Sequence, residues 1–476
     1  MAADRREGPP HPLVEILFPS FESRYTPIAA ANHNSGPLQP LRLAACTFGH
    51  AISDGLANFV PPLWFTVQSV YRLADRDIGL ISLLFSLATN FSQPIFGYIV
   101  DRWRLRNLIP FALTIAVVFM CVIGFAPKLW VFVACLMLAG LGIALFHPRG
   151  GALAAESSGS RRAFGMSIFG AGGAIGYALA SLVSPLLHNF GLHLGFQPLQ
   201  GLIFALPLGL IAVALLWRYN PQGPAVFDCR AGARTPPETP TKEPTPGGVQ
   251  APALQPETAP AREIFSLRRH LLPHLGSLAP LLVVMVLRSG TVSAYATFIQ
   301  ILQGRLGHSS FFQGLVLFIF VAGAAIGGMV GGHLSDLYGR RFITVTSLLL
   351  CPPLLYYALY TPAPMVLVLL FAAGFTLRGA ESVNIAQTQD LLPHGMSTAS
   401  AISMGFTWGL AGLVPPLVGL LSDRTGSLKL ALAATVLLPV IAAIVALALP
   451  TAPPAPGRHH PVEELAVPDG VQQSQL

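Results

Sequence analysis

Long apolar runs separated by short polar links make up most of the chain. A helix needs about 20 mainly apolar residues to cross the hydrocarbon core of a bilayer, and each run reaches that length. The pattern predicts twelve membrane-spanning helices, which we call segments one to twelve. Segments one to six lie at about 41–68, 77–100, 107–126, 129–155, 163–187 and 198–217, and segments seven to twelve at about 278–302, 312–334, 342–360, 365–391, 397–421 and 428–449.

Three stretches without this apolar character predict the domain boundaries. Between the two sets of six segments, residues 220–262 contain ten prolines and no hydrophobic period, which is typical of a disordered linker. We therefore predict a cytoplasmic tail at 1–40, a six-helix bundle at 41–219, a cytoplasmic linker at 220–270, a second six-helix bundle at 271–449 and a cytoplasmic tail at 450–476.

Composition and charge agree with an integral membrane protein. Hydrophobic residues make up 53% of the chain, charged residues 10%, and the mean hydropathy is +0.61. The net charge of +7 does not require a nucleic-acid partner. With both termini cytoplasmic, the two tails and the inner loops hold 18 Lys and Arg residues, whereas the outer loops hold six, as expected for basic loops on the cytoplasmic face.

Motif searches exclude several function classes. The chain has no GxxxxGK[ST] loop for a nucleotide phosphate, and neither the HExxH nor the GxSxG pattern of a hydrolase. The five cysteines are scattered, without the spacing of a metal site or a disulfide framework. We therefore expect no enzymatic activity, no cofactor and no bound metal.

A polar stretch between segments eight and nine has a weaker copy between segments two and three. The stronger copy reads Gly332-His-Leu-Ser-Asp336-Leu-Tyr-Gly339-Arg340-Arg341, and the weaker copy reads Gly97-Tyr-Ile-Val-Asp101-Arg102. This pattern resembles the signature loop found in each half of major facilitator superfamily transporters. The resemblance implies an all-α membrane protein with two pseudo-symmetric six-helix bundles, both termini cytoplasmic, and signature loops that act as conformational latches.

An internal repeat aligns ionisable residues within the segments. At an offset of about 234 residues, Asp54 of segment one aligns with Arg288 of segment seven, and His147 of segment four aligns with Glu381 of segment ten. A charge at membrane depth is costly unless it faces a partner or a water-filled cavity. The family resemblance implies that these four segments line the central cavity. We therefore place the four residues there, with Asp54 and Arg288 on opposite bundles.

Further motifs narrow the resemblance. They are Gly49-His50-Ala-Ile-Ser-Asp54-Gly, Gln93-Pro94-Ile-Phe-Gly97, Phe146-His147-Pro148, Ser167-Ile-Phe-Gly-Ala-Gly172-Gly173, Gln389-Asp390-Leu-Leu-Pro393 and Gly419-Leu-Leu-Ser-Asp423. Together they resemble the fosmidomycin-resistance branch of the superfamily, over nearly all of both bundles. Arg149 and Ala174 depart from the pattern of that branch, so the resemblance does not carry the substrate over.

Each candidate residue has a structural alternative. Asp54, which follows His50 by four residues, is either a proton carrier or one partner in a fixed hydrogen bond or ion pair. Arg288 keeps its charge, so it holds either an anion or the charge of Asp54. Glu381 is either a coupling residue or only the partner of Arg378 three residues earlier. His147 either caps a kink at the following proline or has a gating or proton role.

These observations predict a monomeric secondary transporter in the bacterial cell (inner) membrane. Its expected activity is proton-coupled export, by antiport, of a small and anionic drug or metabolite. Its partners would be that small molecule, protons and the lipid bilayer, and no nucleic acid. Proton-coupled uptake of a small organic anion is the first alternative. A transporter-like sensor that binds its ligand without moving it is the second.

Overall fold

The computed structural model describes residues 37–97, 107–220, 275–392 and 401–449. The predicted tails and almost all of the predicted linker lie outside these residues, as do Asp101 and Arg102 of the first signature loop. Within the described residues all regular secondary structure is helical. The helices are Pro40–Ala57, Trp64–Tyr71, Asp75–Ser86, Leu108–Val122, Leu129–Ser157, Arg162–His193, Leu206–Tyr219, Leu275–Arg305, Ser310–Tyr338, Arg340–Ala358, Met365–Arg378, Glu381–Leu391, Thr407–Ala411, Val414–Thr425, Leu428–Ala434 and Leu437–Ala446.

Eleven helical stretches within the described residues are long and apolar enough to cross a membrane. They correspond to segments two to twelve and extend several of the predicted boundaries. Segment four, for example, is one helix over Leu129–Ser157, which continues through Pro148. The expected all-helical membrane fold is therefore confirmed, although segment one does not meet the criterion of a single long apolar helix.

Segment one is broken where the sequence predicts a continuous helix. Its first helix ends at Ala57, and a second helix begins only at Trp64. Pro61 and Pro62 lie in the gap, and a proline cannot donate the backbone hydrogen bond that would continue the helix. Asn58 stabilises the chain at this break, because its side-chain amide donates to the carbonyl of Tyr177 (2.9 Å) and to a serine hydroxyl of segment five.

Segment ten is also broken, near its middle. Gly379 and Ala380 form a turn between the helices Met365–Arg378 and Glu381–Leu391. Gly331 of segment eight packs against this turn so closely that a Cβ on Gly331 would overlap the carbonyl of Gly379. Irregular backbone at membrane depth is stable only where it is buried in protein or lines a cavity, so this turn marks an internal site.

Each half of the chain packs mainly on itself. Segment one lies against segments four and five, and segment eight lies against segment ten. Glycines allow these close approaches, since a Cβ on Gly176 would overlap the carbonyl of Ala51, and a Cβ on Gly327 would overlap that of Phe375. Gly170 is different, because a Cβ there would meet open space.

The two halves meet at the end of the molecule away from the signature loops, which we call the far end. Asp75 begins segment two and is 3% exposed. Its carboxylate pairs with Arg305 of segment seven (Nη1 to Oδ2, 3.0 Å) and accepts a hydrogen bond from Ser422 of segment eleven (2.6 Å). Asp423 in turn accepts from the backbone N–H of Asp75 at 3.1 Å. We call these four residues the far-end lock.

Further hydrogen bonds join the two halves beyond the far-end lock. Gln300 donates to the carbonyl of Pro61 (2.9 Å), and Ser310 donates to Asn189 (2.9 Å). Midway along the bundle, the hydroxyls of Ser82 and Thr297 lie 3.0 Å apart. The far end is therefore closed by contacts from several segments of both halves.

Replacing Arg305 should open the far end. Arg305→Gln leaves the buried carboxylate of Asp75 without its cation, and we expect this to destabilise the closed far end by about 2 kcal/mol, a discounted value because Arg305 is partly exposed. Spin labels on Val70→Cys and Leu430→Cys, placed in a chain without its native cysteines, should report a longer distance by double electron–electron resonance. Arg76→Gln is the matched control, since the Arg76 side chain pairs only within its own helix, with Asp77. An unchanged distance distribution in Arg305→Gln would contradict the lock.

Candidate functional site

Asp54 lies at the centre of a cluster of three ionisable side chains in the first half, which we call the triad. His147 Nε2 of segment four lies 2.9 Å from Asp54 Oδ1, and His50 Nε2, one turn before Asp54, lies 3.3 Å from Oδ2. The two histidine rings meet edge to face, with centroids 5.3 Å apart. The side chain of His50 is 9% exposed and that of Asp54 is 23% exposed. The triad is therefore enclosed but still accessible.

The other ring nitrogen of each histidine fixes the position of its protons. Nδ1 of His147 lies 2.7 Å from the carbonyl of Ile143, and Nδ1 of His50 lies 2.8 Å from the carbonyl of Phe169. A carbonyl only accepts, so both Nδ1 atoms carry a hydrogen. In its neutral form each histidine then directs a bare Nε2 lone pair at a carboxylate oxygen. Each Nε2–carboxylate contact consequently needs an added proton, on either the histidine or Asp54.

Gly173 provides the space for the triad. A Cβ on Gly173 would lie 2.8 Å from Nδ1 of His50 and would also overlap Asp54. On the opposite side, the ring of His50 stacks on Phe169 with centroids 3.9 Å apart. The packing partners of Gly173 are therefore the candidate functional side chains themselves.

The triad atoms also meet the loose distance criterion for a metal site, because one ligand atom from each residue lies within 4.8 Å of the others. Ligands at about 2.0 Å in a tetrahedral zinc site would be separated by roughly 3.3 Å. The 2.9 Å between His147 and Asp54 is instead an ordinary hydrogen-bond length. The arrangement fits a shared proton better than a metal ion.

A second ionic cluster lies in the other half, where segment ten is broken. Arg378 and Glu381, on either side of the turn, form a direct ion pair. Arg288 of segment seven lies 3.7 Å from the same carboxylate, through Nη2. The guanidinium of Arg378 also lies over the ring of Trp408 of segment eleven, 5.6 Å from its centroid. We call Arg288, Arg378 and Glu381 the arginine cluster.

The sequence-based pairing of Asp54 with Arg288 is corrected by these contacts. Asp54 pairs with two histidines of its own half, and Arg288 pairs with Glu381. His147 contacts both the carbonyl of Ile143, one turn earlier in a helix that continues through Pro148, and the carboxylate of Asp54. Glu381 likewise contacts the local Arg378 and the more distant Arg288.

Tyr177 of segment five is a further residue near both clusters, and it was not singled out from the sequence. It is near enough to interact electrostatically with Asp54 of the triad and with Arg378 of the arginine cluster. A tyrosine within an apolar helix has no distinguishing pattern in one sequence. Asp75 and Arg305 of the far-end lock were missed for a related reason, because charges at helix ends resemble ordinary loop residues.

The second signature loop lies at the opposite end from the far-end lock. Gly339 is a one-residue link between two helices, with a φ of 89° that favours glycine. Arg340 pairs with Asp390 of segment ten, whereas Asp336 is exposed and has no ion-pair partner among the described residues. A Cβ on Gly332 would lie 3.0 Å from a hydroxyl of segment ten. The positions of Gly97 and Arg341 give no direct sign of a latch.

Comparison with known proteins agrees with the fold and the motifs. The family model of the Major Facilitator Superfamily matches residues 43–307 and 281–473. The Fosmidomycin resistance protein of Escherichia coli (strain K12) is 25% identical over 384 residues, covering 80% of this chain and 86% of that protein. The MFS-type transporter YfnC of Bacillus subtilis (strain 168) is 25% identical over 407 residues, covering 84% and 91%.

A solved structure has the same fold at lower identity. The crystal structure of a bacterial homolog of the human lysosomal transporter Spinster, inward-facing and occupied, aligns with a TM-score of 0.67 at 15% identity, covering 87% of this chain and 97% of that one. The resemblance to the fosmidomycin-resistance branch is confirmed by the sequence relatives, and these relatives are transporters rather than enzymes. The chain therefore belongs to the Major Facilitator Superfamily and is a multi-pass secondary transporter.

Proposed function

We propose that the protein is a proton-driven exporter of a small anionic drug or metabolite, and that the triad is its proton-binding site. The observation that carries the proposal is the convergence of two Nε2 lone pairs on one carboxylate, with both Nδ1 atoms held by backbone carbonyls. Without added protons the triad carries a charge of −1 and its contacts are repulsive. One proton makes it neutral and two make it +1.

Protonation would act on structure as well as on charge. The triad connects segment one to segment four, so the proton between Asp54 and His147 holds these two helices together. Loss of that proton removes the attraction and favours separation of the helices. A proton-dependent contact between two helices that line the cavity is a two-state element of the kind that alternating access requires.

Export is favoured by the relatives. The Escherichia coli relative is named for resistance to fosmidomycin, which makes that compound the first candidate substrate. The far end is closed in this structure, so we infer that substrate reaches the two clusters from the signature-loop end, which we assign to the cytoplasm on the basis of loop charge. We further propose twelve spans, with the broken segment one as the first, and a monomer in the cell (inner) membrane.

Uptake by symport is the second candidate, and one observation favours it. The triad and the arginine cluster both interact electrostatically with Tyr177, so a proton added to the triad makes the space between them more attractive to an anion. Proton and anion would then bind together, as symport requires, whereas antiport requires that they exclude each other. A sensor that does not transport is less favoured, because it would need neither the lock nor the latches.

Neutralising Asp54 should uncouple transport from protons. In proteoliposomes, Asp54→Asn should lose accumulation of fosmidomycin driven by a pH gradient, because the amide cannot accept the proton, while substrate exchange without a gradient persists. Asp77→Asn serves as the control, since among the described residues the Asp77 side chain forms polar contacts only with its neighbours in the chain, the backbone of Ala74 and the side chain of Arg76. Undiminished accumulation against a gradient in Asp54→Asn would exclude the triad as the coupling site.

The pH dependence of binding should distinguish export from uptake. The groups that face Asp54 and would set this dependence are His50, His147 and the Tyr177 hydroxyl. For an antiporter, fosmidomycin should bind purified protein more weakly at acid pH, and for a symporter more strongly. In either case Asp54→Asn should flatten the binding profile, which isothermal titration calorimetry can measure. A profile that keeps its slope in this variant would assign the pH dependence to another group.

The second signature loop should control the rate of transport rather than affinity. Asp336→Asn removes a charge that we assign to the latch of the opposite conformation, so transport should slow about tenfold, equivalent to about 1.4 kcal/mol of barrier. Substrate binding to the purified protein should survive, because Asp336 is exposed at the loop and remote from the clusters. An equal loss of binding and transport would rule out a latch role.

A further inference from the structure

Arg288 has more hydrogen-bonding capacity than its surroundings use. Its side chain is 1% exposed, and its Nε and Nη1 atoms are buried without a hydrogen-bond partner among the described residues. Nη2 donates to the hydroxyl of Ser289 at 3.2 Å, and the carboxylate of Glu381 lies 3.7 Å away, beyond the length of a direct hydrogen bond. Buried donors of a permanent cation are expensive to leave unpaired, which points to a missing acceptor.

The charges of the arginine cluster are also unbalanced. Two guanidinium groups share one carboxylate, so the cluster carries a net charge of +1 when Glu381 is ionised. Arg378 is the closer partner of Glu381 and also lies over Trp408, whereas Arg288 has only the longer contact. The carboxylate of Glu381 therefore mainly neutralises Arg378, and the charge of Arg288 is left uncompensated.

Access to this charge is available from one side. The side chains of Arg378 and Glu381 are 27% and 14% exposed, and they lie beside the break in segment ten. A ligand that reaches Glu381 consequently reaches the neighbourhood of Arg288.

We propose that Arg288 binds the single oxyanion group of a monoanionic organic substrate, such as a carboxylate, and that Glu381 is a fixed counter-ion to Arg378 rather than a proton carrier. One bound monoanion brings the cluster to neutrality, since Arg288 pairs with the ligand while Arg378 keeps Glu381. A neutral ligand can accept hydrogen bonds from Arg288 but leaves its charge uncompensated, and a dianion leaves a net negative charge in a site of low dielectric constant. This inference rests on the proposed function and specifies the substrate class for it.

The test uses benzoate and benzamide, which differ mainly in charge, with the full-length protein in detergent and no gradient. Benzoate should raise the melting temperature of the wild-type protein in a dose-dependent manner at constant ionic strength, whereas benzamide should not. Arg288→Gln should raise the Kd for benzoate at least tenfold. The matched control is Arg149→Gln, because Arg149 is another arginine within a helix and already pairs with Glu156 at 2.7 Å.

A second variant, which should bind benzoate more tightly, distinguishes a change at the anion site from a loss of folding. Glu381→Gln removes the competing negative charge, so benzoate should bind about tenfold more tightly or better. If Arg288→Gln does not fold, Arg288→Lys keeps the charge and should retain weakened binding of benzoate. The inference is overturned if benzoate does not stabilise the wild-type protein, if benzamide stabilises it equally, or if Glu381→Gln weakens benzoate binding.

The outcome is separable from that of the coupling proposal. Asp54→Asn should still bind benzoate, because the triad is a different cluster in the other half of the chain. A failure of the Arg288 site with normal behaviour of Asp54→Asn in flux measurements would leave proton coupling in place. The reverse result would leave an anion site in a protein that couples to something other than the triad.

Discussion

The hydrocarbon core cannot solvate a charge, and this constraint organises the interior of the protein. Ionised groups at membrane depth need partners nearby, and the two clusters provide them within their own halves, except that the charge of Arg288 is only partly compensated. Asp54 is paired by histidines of segments one and four, and Glu381 by arginines of segments seven and ten. Because neither cluster bridges the halves, the bundles can move relative to one another without breaking the pairs of the triad or of the arginine cluster.

Contacts between the halves have a different character. The far-end lock is ionic and lies at the helix ends. Water can replace the partner of Arg305, which is partly exposed, whereas the buried carboxylate of Asp75 loses a stabilising partner when the halves part. Elsewhere the halves meet through close backbone packing, as where a Cβ on Gly79 would lie 2.6 Å from the carbonyl of Pro415. Permanent pairs within the halves and replaceable contacts between them together form a structure suited to rocking about a central site.

The sequence predicts the helical segments well, because they follow from apolar runs. The internal repeat also singles out Asp54, His147, Arg288 and Glu381, which the structure places in the two clusters. The sequence also predicts local pairs, such as Arg378 with Glu381, from their spacing on one helix. The predicted contact of Asp54 with Arg288 failed because the repeat relates equivalent positions, and equivalent positions under pseudo-symmetry need not be neighbours. For His147 of segment four, which is the nearer histidine partner of Asp54, the sequence predicted only a position in the same cavity and not this contact.

The breaks in segments one and ten were harder to foresee. Pro61 and Pro62 signal the first, yet their effect depends on Asn58 finding partners on segment five. Gly379 alone does not predict the second, because a single glycine is tolerated in many membrane helices. The break also involves the close contact of Gly379 with Gly331, which lies in segment eight and is distant in the sequence.

The break in segment ten has a mechanical consequence. Arg378 ends one helix and Glu381 begins the next, so their ion pair spans the turn that forms the joint between the two helices. A bend at that joint changes the separation of the two charges, and the joint therefore converts helix motion into an altered electric field at Arg288. In the opposite direction, a charged group that binds beside Arg288 changes the forces on this ion pair. Binding at the arginine cluster therefore favours a different orientation of the helix Glu381–Leu391.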